Sequence, residues 1–86
     1  MEVFVATITS SYDGNVEVTT KLFDTFEKAS KYLHEEYVGI KEEDAESGVT
    51  YANEEEEITK DEAWFYFEDE SGLWWCNGSV NVESVL

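Results

Sequence analysis

Acidic charge is distributed very unevenly along this chain, and that constrains it most. Residues 1–34 carry 5 acids and 3 lysines, net −2, whereas residues 35–86 carry 16 acids and 2 lysines, net −14. A segment so charged folds only if it also holds much apolar surface, because like charges oppose compaction. It does: Trp64, Phe65, Tyr66, Phe67, Trp74 and Trp75 all lie in the acidic part. Disordered acidic tails lack such residues, so the chain is expected to fold. At 86 residues it forms one domain, 1–86, with a small, aromatic-rich core.

Several classes are excluded. No apolar run approaches the roughly 20 residues of a membrane helix. The start, Met1-Glu2-Val3-Phe4-Val5, has neither the basic residues nor the apolar stretch of a secretory signal. The lone cysteine, Cys76, has no internal disulfide partner, so a reduced, cytoplasmic setting is expected. Asn77-Gly78-Ser79 fits a glycosylation sequon, which such a setting leaves unused. All five basic residues are lysines, so the bidentate phosphate fork of arginine is missing and direct nucleic-acid binding is not expected. The charge calls instead for a basic partner.

Residues 3–9 and 16–23 read as strands, rich in β-branched side chains. Asp13-Gly14 between them signals a hairpin. A three-residue loop pairs Ser11 with Asn15 and sets Phe4, Ala6 and Ile8 opposite Leu22, Thr20 and Val18. A two-residue loop sets Ala6 against Lys21 and Ile8 against Thr19. The first register gathers the apolar residues on one face and is the one expected. A helix over 25–38 follows, capped by Asp24, with Phe26, Ala29, Leu33 and Tyr37 as its apolar stripe, a Glu27–Lys31 pair and Gly39 as its stop.

The acidic connecting segment at 41–62 has three readings. Gly48 to Ala52 can form a short strand, Asn53 can cap a helix over 54–60, or the stretch can be a loop. Strands return at 63–68 and 73–77, joined by an Asp69-Glu70-Ser71-Gly72 turn. Val80, Val82 and Val85 suggest a last strand, with Gly78 as a bend or bulge. The fold class is therefore α+β, an antiparallel sheet of four or five strands with one main helix on a face, in ββα-ββ order.

Chemistry-bearing groups are sparse. Cys76 and His34 are the only thiol and imidazole, and nothing in their spacing implies contact. With 21 carboxylates, any acid pair looks meaningful by chance. A calcium loop begun at Glu42 places Ser47 where glycine is needed and Asn53 where glutamate is needed. No catalytic residue, metal or cofactor is assigned. Consecutive aromatics in a strand point to both faces. One face meets the helix, and on the other Trp64, Tyr66 or Trp74 can serve a partner. Crowded carboxylates are expected to titrate upward, so that mild acid stabilises the fold.

The segment from Leu22 to Leu33, after a hairpin and with strands closing the chain, resembles small phage and mobile-element proteins. In size and charge the chain is also similar to phage-encoded DNA mimics: anti-restriction proteins, anti-CRISPR proteins and uracil-DNA glycosylase inhibitors. That resemblance implies carboxylates displayed like phosphates in a nucleic-acid channel, in the host cytoplasm. A net charge of −16 is about twice what solubility asks of a small domain. The expected function is a non-catalytic acidic inhibitor that engages a basic nucleic-acid-binding protein surface. Glu42, Glu43, Asp44, Glu46, Glu54, Glu55, Glu56 and Glu57 supply its charge, and Trp64 or Trp74 its apolar anchor. The alternative is a structural or regulatory interaction module without mimicry. Mimicry requires carboxylate rows spaced about 6–7 Å, like phosphates along a strand.

Overall fold

The alternation of β-branched and polar residues at the start of the chain forms strand β1 (Glu2–Tyr12), and β2 (Asn15–Phe23) returns beside it. A computed structural model describes residues 1–84. Helix α1 (Phe26–Ser47) follows, then β3 (Tyr51–Ile58), β4 (Ala63–Asp69) and β5 (Trp74–Ser84). The five strands make one antiparallel sheet in the order β2-β1-β5-β4-β3, with α1 packed on one face. The fold is α+β, as expected. Val85, expected in the last strand, lies outside the described residues.

The first hairpin takes the two-residue loop. Tyr12 pairs with Asn15, Ala6 with Lys21 and Ile8 with Thr19. Asp13 (φ 49°) and Gly14 (φ 87°) are both left-handed. This is the turn whose twist matches that of the strands it joins. The expected three-residue register is thus corrected by turn geometry. The shift sends Val16, Val18 and Leu22 to the face away from the helix, where they are exposed.

The helix differs from expectation at both ends. Thr25, not Asp24, caps it, its hydroxyl accepting from the Lys28 amide at 3.2 Å. Asp24 pairs with Lys28 instead, and Lys31 reaches Glu35 rather than Glu27. Gly39 does not stop the helix. Gly48 does, in the left-handed conformation at φ 78°, its amide bonding the Ala45 carbonyl. The helix continues through Gly39 because Ile40 still packs on the core and later residues reach β3. The segment 41–62 is consequently half helix end and half strand; the capped helix over 54–60 does not form.

The core lies between α1 and the middle of the sheet. Ala6, Leu33, Phe65, Phe67 and Cys76 are fully buried, with Ala29 and Tyr37 buried beside them, while Phe26, the first member of the expected helix stripe, is half-buried against the core. Phe65 and Phe67 stack at 5.5 Å, and Tyr37 lies against both. β5 is one continuous strand through Gly78, without the expected bend or bulge. The glycine is needed because Phe65 and Leu33 occupy the space a side chain would take. In the β4–β5 turn Gly72 is left-handed, as expected, and the Asp69 carboxylate accepts from its amide at 2.9 Å.

Candidate functional site

Strand parity sorts the acidic residues of β3. Glu54 sits opposite Phe67 and Glu56 opposite Phe65, so both face the helix. There the C-terminal half of α1 meets them. Tyr37 donates its hydroxyl to Glu54 at 2.7 Å, and Lys41 pairs with the same carboxylate. His34 Nδ1 lies 2.7 Å from Glu56 Oε2. Near the start of β3, the Tyr51 hydroxyl donates to Asp44. Three of the eight expected partner-binding acids, Asp44, Glu54 and Glu56, are thus tied into a seam between helix and edge strand.

Titration follows from this seam. The Lys41 ammonium, then the Tyr37 hydroxyl, hold Glu54 below the usual carboxylate range. Lys41 is raised in turn, chiefly by Glu54. Burial, then Glu54, pushes the Tyr37 phenol up to about 12, and Tyr51 is raised for the same reason with Asp44 beside it. The expectation that crowding raises the carboxylates is therefore reversed at Glu54. A local cation and hydroxyl outweigh the diffuse field of more distant acids, which water and salt screen.

Among the described residues the other five acids have no such partners. Glu42, Glu43 and Glu46 are exposed on the last turns of α1, and Glu55 and Glu57 are exposed on β3. Glu55 pairs across strands with Tyr66, and Glu57 with Trp64. Among the described residues no layer covers this face of the sheet. Trp64, Tyr66 and Trp75 are half-buried there, with Glu68 beside Trp75. The structure therefore brings Glu55, Glu57 and Trp64 onto one face and puts Trp74 on the other. Trp74 stacks on Phe67 at 5.1 Å and on Tyr51 at 5.9 Å, at the end of the core. Trp75, its neighbour, joins the open face, a placement decided by the β4–β5 register.

Chemistry elsewhere is limited. The Cys76 thiol is buried, and burial, with Asp44 at longer range, pushes it up to about 12. Among the described residues, no group of three or more His, Cys, Asp or Glu side chains is arranged to hold a metal ion. No described helix is long and apolar enough to cross a membrane. Neither family models, nor curated proteins, nor solved structures gave a match to the chain.

Proposed function

We propose that this chain is a non-catalytic acidic binding protein that inhibits a nucleic-acid-binding protein, of the kind phages encode, by occupying its basic groove. The supporting observation is that its free carboxylates stand where they oppose local structure. Glu46 occupies the last turn of α1, where the helix dipole is unfavourable for anions and no base is present, and Glu42 and Glu43 stand just before it. Glu55 and Glu57, the two untied members of the four-glutamate run, sit in an edge strand, although glutamate is a poor strand former. Residues that break local rules commonly serve function.

Spacing supports the same reading. Glu55 and Glu57, two apart on one strand face, rise from backbone positions about 6.7 Å apart, and Glu42 and Glu46, one helical turn apart, from positions about 6 Å apart along the axis. Side chains rising from such positions can reach the row of about 6–7 Å that mimicry requires. Trp64, beside Glu57, supplies an apolar anchor at the rim of the acidic edge.

The test is capture from a bacterial lysate at 50 mM salt, followed by challenge with duplex DNA. The expected result is a basic protein that DNA displaces and that 500 mM salt releases. Replacing Glu42, Glu43, Glu46, Glu55 and Glu57 together by Gln should slow association at least tenfold while the fold is kept. A partner that is not basic, or one held equally at both salts and not displaced by DNA, rejects mimicry in favour of a plain interaction module.

A further inference from the structure

The sheet has two free edges, and they differ in kind. β3 is blunted by four glutamates. β2 is not: its nine residues, Asn-Val-Glu-Val-Thr-Thr-Lys-Leu-Phe, are rich in β-branched side chains and bonded on one side only. Val16, Val18 and Leu22 are 58%, 61% and 64% exposed. A long, exposed edge of this composition is a template for strand pairing.

We propose that β2 pairs antiparallel with β2 of a second copy, joining two sheets into one across a two-fold axis. The hairpin register determines how. In a two-residue hairpin closed by Tyr12 and Asn15, odd-numbered residues of β2 bond back to β1. Val16, Val18, Thr20 and Leu22 therefore turn their N–H and C=O groups outward. In the symmetric register that pairs all four, Val16 meets the second copy's Leu22 and Val18 meets its Thr20. Each pair exchanges two hydrogen bonds, roughly eight in all.

That register also places Glu17 opposite Lys21 of the other copy, twice, on the helix face. These are the only charged residues of β2. The edge is thus self-complementary in backbone, apolar contact and charge, as an isologous interface must be. Lys21 Nζ lies 5.0 Å from the Tyr32 ring centre in the single chain, which holds it on the helix side of the sheet. The acidic edge does not prevent the approach. β3 is four strand spacings away, about 19 Å, more than two screening lengths at 0.15 M salt.

Sedimentation equilibrium and light scattering test this. Wild type should pass from 9.9 kDa toward twice that mass as concentration rises through the micromolar range. Thr20→Pro removes an outward N–H and none of the bonds to β1, so it should abolish the dimer while circular dichroism stays that of a folded chain. Glu17→Lys and Lys21→Glu each create like-charge pairs, and each should weaken self-association about tenfold or more. Mixed one to one, these two variants should associate with each other, and the double swap should restore the wild-type dimer. Glu17→Lys is decisive against general repulsion, because it lowers the net negative charge yet should still weaken pairing. A wild type that stays monomeric to about 500 µM overturns the proposal. So do three single variants that dimerise as well as wild type, or a mixture that associates no better than its parts. The proposal is independent of the acidic edge, so these outcomes leave the partner-binding reading untouched.

Discussion

A methyl group on Gly78 would meet the Phe65 ring at 2.5 Å and the Leu33 side chain at 2.8 Å. Both neighbours are fully buried, so neither has space to move into. Gly78→Ala should therefore destabilise by about 1–3 kcal/mol, the usual cost of overpacking. Leu33→Ala, the opposite defect at the same place, should cost about 2–5 kcal/mol. Chemical denaturation reads both, and a loss below about 1 kcal/mol in either would remove these residues from the core. The thiol next to this cluster gives an independent check. With its pKa pushed up to about 12 by burial, Cys76 stays protonated at pH 8, so alkylation should await unfolding. Leu33 is legible in the sequence from helical spacing, and Cys76 from its aromatic strand. The role of Gly78 is not, because it depends on which residue of β4 lies opposite, and that is Phe65.

Among the elements, α1 carries the clearest contrast between local and tertiary preference. Gly39 lies inside the helix, and a side chain there would meet nothing within 4 Å. Gly39→Ala should therefore stabilise by about 0.5–1 kcal/mol, seen as a higher denaturation midpoint with an unchanged slope. A fall would mean that the helix is broken there, as the sequence suggests. The glycine is a sound stop signal locally. It is overridden because Ile40, Lys41 and Asp44 find partners beyond it. The seam they build also splits the β3 glutamates. Glu54→Gln leaves Lys41 without its carboxylate and should cost about 1 kcal/mol. Glu55→Gln should be neutral or slightly stabilising, because it removes only repulsion. A double comparison in one melt series separates them. The run of four glutamates is visible in the sequence, but its division into two tied and two free residues requires the strand register. The expected register of β1 and β2 fails because the apolar pattern favours one loop length and the Asp-Gly turn another, and the turn prevails.

For the whole molecule, the excess of carboxylates and the seam act on stability in different pH and salt ranges. Tyr37, Tyr51, Lys41 and Cys76 all bind protons more tightly folded than unfolded. Groups raised in this way contribute stability that is complete below their unfolded pKa values, and it is lost as pH rises through the folded ones. Stability should therefore decline from about pH 9 toward 12. Glu54 is lowered on folding, so its contribution is present above about pH 4.5 and is lost as pH falls through its folded value. Between these limits the Glu54 contribution is constant. Lowering the pH from about 7 toward 5 should then act as salt does, because it reduces the net negative charge, and a melting temperature that falls over that window would contradict the repulsion argument. Salt isolates the other term. Screening relieves the mutual repulsion of a chain at −16, so raising NaCl from about 20 to 500 mM should raise the melting temperature by several degrees. The rise should shrink in a variant carrying Glu→Gln at 42, 43, 46, 55 and 57, because those acids supply much of the repulsion. Calcium at about 2 mM, compared at matched ionic strength, should add little, since the described acids form no ligand cluster. A calcium-specific rise of many degrees would place an ordered site where these residues stand open, and the acidic edge would then have to be read as a metal-binding surface.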